Sequence, residues 1–260
     1  MYVDTHSHLF DSAFDLDRDI VIKECFNQNV KKLIVVGFDI ETNKLALELS
    51  SKYENLFPTV GLHPTNLDDY SDIFFVCLEE LIKTNKNIVG IGECGLDYYW
   101  DTSKKNLQKE VFKKQIELSI KYNLPLIIHS RDAIADTLDV LKSVNKPLKG
   151  VMHGYSGSVE MAREFIKLGL KIGIGGVLTF KNAKSIKEVV KELDISNFVL
   201  ETDCPYLTPT PYRGKRNAPY YIPLIANEMA SIKGIDVSTV ERVTTNNANE
   251  LFGGRLLWKK

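Results

Sequence analysis

Leu33-Ile34-Val35-Val36-Gly37, introduced by Lys32, runs apolar without a break and is rich in β-branched residues. A strand with one wet face alternates; an unbroken run belongs to a parallel strand buried on both faces. The flanking sequence supplies the helices that cover it. Residues 15–29 place Leu16, Ile20, Val21, Ile22, Cys25 and Phe26 at a roughly helical spacing, and 41–53 form a second helical stretch. Outward from this unit the alternation repeats. Val3-Asp4-Thr5-His6-Ser7-His8-Leu9 reads as a strand upstream, and 57–64, 88–93, 124–129, 150–153, 170–174 and 198–203 read as strands downstream. Helical stretches over 72–85, 104–122, 133–144, 158–168 and 183–193 separate them, with further helices at 222–232 and 238–251. Strands alternating with helices imply right-handed crossovers and a parallel sheet. Eight such strands in 260 residues favour a closed barrel over an open doubly wound sheet. The expected fold is α/β, a (β/α)8 TIM barrel with additional C-terminal helices. No linker or low-complexity tract interrupts it, so residues 1–260 are expected to form a single domain.

Composition limits the partners. Hydrophobic residues make up 44%, enough to fill a core of this size. Lys and Arg total 33 against 34 Asp and Glu, a net charge of -1, so any nucleic-acid contact must be local or metal-mediated. Cys25, Cys77, Cys94 and Cys204 are scattered without CxxC spacing, which argues against a zinc ribbon or a secreted disulfide framework. Strand-like sequence from Tyr2 leaves no room for a signal segment, and no apolar run approaches membrane-spanning length. The expected location is cytoplasmic, with no membrane association and no obligate protein partner. No glycine-rich dinucleotide or P-loop fingerprint follows any strand.

In such a barrel the chemistry sits at the C-terminal ends of the strands. The strand-like runs end in His6 and His8, His63, Glu93, His129, His153 and Asp203, and all five histidines of the chain fall in this set. Period two puts His6 and His8 on one face, and each neutral imidazole offers a metal ion a lone pair. Taken singly, His129 reads as a satisfied core histidine and His153 as a cap before the turn at 154–157. Their place in one ring of strand ends makes them ligands. Buried carboxylates without a partner are costly, so Glu93 and Asp203 call for a cation nearby.

In order, the chain carries Asp4-Thr5-His6-Ser7-His8, Gly61-Leu62-His63-Pro64, Gly92-Glu93-Cys94-Gly95-Leu96-Asp97-Tyr98-Tyr99 and Ile128-His129-Ser130-Arg131. His153-Gly154-Tyr155-Ser156-Gly157, Glu201-Thr202-Asp203-Cys204-Pro205-Tyr206-Leu207, Pro211-Tyr212-Arg213-Gly214 with Asn217, and Asn247-Ala248-Asn249-Glu250-Leu251-Phe252 follow. This succession resembles the TatD-type metal-dependent deoxyribonucleases of the amidohydrolase-like barrel superfamily. The resemblance implies that His6, His8, Glu93 and Asp203 hold one metal and Glu93, His129 and His153 a second, with Glu93 bridging. It leaves His63 outside the metal shell. Cys94 and Cys204 depart from the common pattern, but each is expected to point away from the face its neighbouring ligand uses.

Mixed nitrogen and oxygen ligands suit Mg, Mn, Zn or Fe without choosing among them. Two such divalent ions per chain would activate water, clamp a phosphodiester and stabilise its leaving oxygen. Asp203 is then expected to orient or deprotonate the attacking water beside the bridging Glu93, and His63 to contact the phosphate or protonate the leaving group. Arg213, Lys215 and Arg216 form a basic rim suited to phosphate, with Tyr206, Tyr212, Tyr220 and Tyr221 placed to stack on bases. Arg131 reads either as a phosphate clamp or as a buried partner for Asp132 or Glu201. The expected activity is hydrolysis of DNA phosphodiesters, as a 3′-5′ exodeoxyribonuclease on single strands or 3′ ends. The alternative is a metal-dependent ester or amide hydrolase such as a D-aminoacyl-tRNA deacylase. A barrel whose metal is purely structural is disfavoured, because six candidate ligands sit at open strand ends rather than four in a closed site.

Overall fold

The computed structural model describes residues 1–256. Its eight strands pair in sequence order, each parallel to the next. They are β1 (Tyr2–Ser7), β2 (Val30–Val36), β3 (Leu56–Val60), β4 (Gly90–Asp97), β5 (Leu126–Arg131), β6 (Gly150–Met152), β7 (Leu170–Ile174) and β8 (Phe198–Leu200). Between them run α1 (Arg18–Asn27), α2 (Ile40–Lys52), α3 (Asp72–Thr84), α4 (Lys105–Tyr122), α5 (Ile134–Ser143), α6 (Val159–Lys167) and α7 (Lys184–Glu192). The expected C-terminal helices follow as α8 (Ile222–Lys233) and α9 (Val237–Leu251). This is a TIM barrel.

Two apolar layers hold it together. The larger lies between strands and helices, where Leu33, Leu56, Leu126 and Phe198 meet helix residues such as Phe112, Phe165 and Val189. The smaller fills the barrel: Val3, Ile34, Val36, Phe57, Val89, Ile127, Val151 and Val199 point inward and are closed from below by Ala248, Leu251 and Phe252 of the α9 region. Asn247 fixes that plug by donating to the carbonyls of Ile195 and Phe198 at 3.0 and 2.7 Å.

The ring closes irregularly. β1 and β8 meet beyond the end of β8, through a bridge between Ser7 and Cys204. Thr5 Oγ1 donates to the Leu200 carbonyl at 3.1 Å, and the Asp203 amide to that of His6 at 2.9 Å. Asp4, fully buried, accepts from the His6 amide at 3.1 Å and from the amide and hydroxyl of Thr202 at 3.0 and 2.5 Å.

Several strand ends differ from expectation. β3, β6 and β8 stop at Val60, Met152 and Leu200, so His63, His153 and Asp203 stand on the loops just above the barrel. β4 continues to Asp97, which places Glu93 inside a strand rather than at its end. Among the described residues, no helix is long and apolar enough to cross a membrane.

Candidate metal centre

Three backbone irregularities bring the candidate ligands together. Val3 faces the barrel interior, so strict alternation would turn His6 toward the helices. The register of β1 against β2 slips between Asp4 and Ser7, which reverses the face and turns His6 inward. In β4 a second slip falls between Ile91 and Cys94, beside Gly92 at φ +141°. A Cβ on Gly92 would lie 2.5 Å from the Ile127 carbonyl oxygen, and one on Gly95 would strike that of His129, so neither position admits a side chain. After β8 the chain turns through Asp203 in the left-handed region, φ +58°, and lifts its carboxylate over the barrel mouth.

Glu93 is the hub. Its Oε2 lies 3.4 Å from His6 Nε2 and 3.8 Å from His8 Nε2. Its Oε1 lies 3.1 Å from His129 Nδ1, 3.6 Å from His63 Nε2 and 3.9 Å from His153 Nε2. The two oxygens therefore face different sets of imidazoles, as a bridging carboxylate does. Asp203 Oδ1 completes the first set, 3.5 Å from His8 Nε2, 3.8 Å from His6 Nε2 and 3.9 Å from His153 Nε2. His6 and His8 place their Nε2 atoms 3.2 Å apart. Ligand atoms about 2.1 Å from one tetrahedral ion stand about 3.4 Å from each other, so the donor set fits a divalent cation. His6 with His8 and Asp203, His6 with Glu93 and His153, and His63 with Glu93 and His129 are the groups close enough to hold one.

The outer nitrogens decide what each imidazole offers. His8 Nδ1 lies 2.9 Å from the Val36 carbonyl. A carbonyl only accepts, so Nδ1 carries the hydrogen and Nε2 keeps its lone pair for the centre. His129 is reversed: Nε2 donates to Asp97 Oδ2 at 2.9 Å and Nδ1 faces Glu93. His153 Nδ1 lies 3.0 Å from Glu201 Oε1, which turns its Nε2 inward. His63 meets Thr65 instead. The Thr65 amide donates to His63 Nδ1 at 3.2 Å, which puts the hydrogen on Nε2, facing Glu93 Oε1; the Thr65 hydroxyl, 2.6 Å from the same nitrogen, donates to Asn66 Oδ1 at 3.0 Å and so accepts Nδ1–H in the other tautomer.

Charge follows the same layout. Burial alone would raise Glu93, but His63, His6 and His129 hold it well below the usual carboxylate range. Asp203 is likewise lowered against burial by His8, His153 and His6. Burial pushes His63 down to about 4, against the pull of Glu93 beside it. His153 goes the other way despite burial, up to about 10, because Glu201, Asp203 and Glu93 surround it.

A constellation of this kind on a closed barrel invites comparison with known hydrolases. The family model described as TatD related DNase matches residues 3–253. The chain belongs to this family. It is a TatD-type metal-dependent hydrolase, similar to the Bacillus subtilis (strain 168) protein named uncharacterized metal-dependent hydrolase YabD. The two are 42% identical over 97% of this chain and 99% of the relative. The crystal structure of YjjV, a TatD homologue from Escherichia coli K12, matches with a TM-score of 0.92 at 30% identity, covering 96% of this chain and 97% of that one. A TatD family hydrolase from Entamoeba histolytica matches with a TM-score of 0.86 at 26% identity, over 97% and 98% of the two chains.

The TatD-type site also contains residues the sequence reading passed over. Asp97 and Glu201 orient His129 and His153, and Thr65 meets His63 Nδ1 with both its amide and its hydroxyl. Asp97 and Glu201 share the strand parity of Glu93 and Asp203, a signal present in the sequence. The basic residues are placed less uniformly. Arg131 is exposed and stacks on Tyr99, its guanidinium 3.7 Å from the ring centre; the alternative of a buried pair with Glu201 is not what forms, since Glu201 faces His153 and the Gly154 amide. Arg213 stacks on Phe180 at 3.9 Å, and Lys215 lies 5.8 Å from the Tyr212 ring. Arg216 is committed elsewhere. Its two nitrogens grip Asp17 at 2.8 and 2.6 Å, tying the loop after β8 to the segment before α1.

Proposed function

We propose that this TatD-type hydrolase binds two divalent ions and cleaves phosphodiester bonds of DNA, removing nucleotides from the 3′ end of single strands. His6, His8, Glu93 and Asp203 would hold one ion and Glu93, His129 and His153 the other; in this structure it is His63 that groups most closely with Glu93 and His129, while His153 lies with His6 and Glu93. Bound there, the ions supply Lewis-acid polarisation of a phosphoryl oxygen and lower the pKa of water. The protein's own groups do the rest. Asp203, held ionised by three imidazoles, accepts the proton of the attacking water. His63 donates its Nε2 hydrogen to an oxygen of the phosphate or of the leaving group. Arg131 and Arg213 lie outside the ligand set, where guanidinium groups can steer the anionic strand. The proposed location is the cytoplasm.

The observation that carries this reading is the convergence of five imidazoles on the two oxygens of Glu93, with Asp203 Oδ1 beside them, at the open end of the barrel. Such a site suits cations that clamp an anionic oxygen. The test is degradation of 5′-labelled single-stranded DNA by metal-reconstituted protein, with a chelator control and Glu93→Ala. A ladder shortening from the 3′ end, lost in both controls, is expected. Intact DNA beside stoichiometric bound metal would sink the nuclease reading and leave the ester or amide hydrolase, such as a D-aminoacyl-tRNA deacylase. His63→Ala is expected to retain its metal while activity falls about 100-fold or more; metal loss equal to that of His129→Ala would make His63 a ligand instead.

A further inference from the structure

Tyr99 and Trp100 follow β4 directly and lie open to solvent, 54% and 71% exposed. They are not loose. Asp97 accepts the Tyr99 amide on Oδ1 at 2.9 Å and His129 Nε2 on Oδ2 at 2.9 Å, so one carboxylate fixes both the aromatic lip and a candidate ligand. From the adjacent strand Arg131, two residues past His129, lays its guanidinium 3.7 Å over the Tyr99 ring. Tyr99 in turn meets Trp100 edge-on, with ring centroids 4.9 Å apart at 89°. One face of Tyr99 is thus covered by Arg131, which also reaches within 5.7 Å of the Trp100 ring, and the indole is the more open of the two rings. An exposed indole braced by a stacked arginine offers a nucleobase a π-surface and the neighbouring phosphate a positive charge.

We propose that Trp100, supported by Tyr99 and Arg131, is a base-stacking subsite that receives a nucleobase of the strand whose phosphodiester lies at the metal centre. The proposal takes its substrate class from the phosphodiesterase reading. It differs from the rim expected from the sequence, where the stacking residues were Tyr206, Tyr212, Tyr220 and Tyr221; of these, Tyr212 and Tyr221 stack on each other at 4.9 Å.

The test is binding, with affinities measured by calorimetry and, in the parent, contact with the ring read from Trp100 fluorescence. Trp258→Phe removes the second tryptophan of the chain, leaving Trp100 as the reporter in otherwise intact, metal-loaded protein. The probes are a phosphorothioate-linked thymidine decamer and an abasic decamer with the same linkages. Saturable quenching by the thymidine decamer is expected, with the abasic decamer binding about tenfold more weakly and without quenching. Trp100→Ala should bring the two decamers to the same affinity, and Trp100→Phe should restore most of the difference. Equal affinity of the parent for both decamers, a preference unaccompanied by quenching, or binding of neither overturns the proposal. A stacking preference in a protein that leaves natural DNA intact would remove the nuclease reading and keep the subsite. Shortened DNA without a base preference would do the reverse.

Discussion

Asp97 touches no candidate ion, yet it holds His129 by one oxygen and the Tyr99 amide by the other. Asp97→Asn keeps the shape and removes the charge that sets the imidazole's tautomer. Metal affinity should fall about 10- to 100-fold, measured by calorimetry on chelator-stripped protein; a change below about twofold would deny Asp97 that role. His153 gives a prediction in pH. Its imidazolium is favoured in the folded, metal-free chain, with its pKa raised from 6.5 to about 10. The stability it contributes is complete below 6.5 and disappears as pH rises through about 10. A cation must displace that proton. Metal-free protein should therefore lose thermal stability across this window while its apparent metal affinity rises, and equal slopes for stripped and loaded protein would contradict the assignment. The candidate cluster was legible because the chain has only five histidines and all stand at or just beyond the upper ends of strands. Asp97, Glu201 and Thr65 were not: the first two share the strand parity of Glu93 and Asp203, but spacing does not tell a ligand from the residue that orients it. Arg216 misled for a similar reason: nothing in Arg213 to Asn217 announces that Asp17 folds up to meet it.

β4 shows how an element serves the centre by breaking its own regularity. Gly95 sits at φ +133°, and an added Cβ would collide with the His129 carbonyl oxygen. Gly95→Ala should destabilise the protein by about 3 kcal/mol or more, seen as a lower denaturant midpoint. Gly154→Ala is the control. It also has a positive φ, +55°, but meets nothing within 4 Å, so its loss should stay near 1–2 kcal/mol, about the penalty for a left-handed residue. Equal losses would mean that backbone conformation, not collision, governs β4. Strands were legible as unbroken apolar runs such as Leu33 to Val36. Their ends were not, because a strand stops where its neighbours stop pairing: β3 leaves the ladder at Val60 and β4 stays in it to Asp97. The slip in β1 was equally invisible. It exchanges inside for outside without any glycine or proline to mark it.

At the scale of the whole molecule, the candidate centre spans the place where the barrel closes. His6 and His8 belong to the β1 end and Asp203 to the chain after β8, so a bound ion ties the two edges of the sheet together. Cation added at about 100 times its dissociation constant should stabilise the fold by about 2.7 kcal/mol. A melting temperature higher by about 5–10 °C, reversed by chelator, is the expected readout; no shift with confirmed binding would mean that the seam is secure without metal. The barrel and its C-terminal helices were legible from the count of alternating segments. That α9 serves as the floor was not, because the helix finds its place only against the ring of inward side chains it plugs. The seam also sets a timetable for biosynthesis. Asp4 and its partner Thr202 lie 198 residues apart, so β1 leaves the ribosome long before the residues that complete its surroundings. The set of His6, His8 and Asp203 is complete only once residue 203 has been made, whereas the groups around Glu93, His129 and His153 are in the chain by residue 153. A fragment that ends before residue 203 should therefore bind fewer ions than the full chain, counted by metal analysis of the purified fragment.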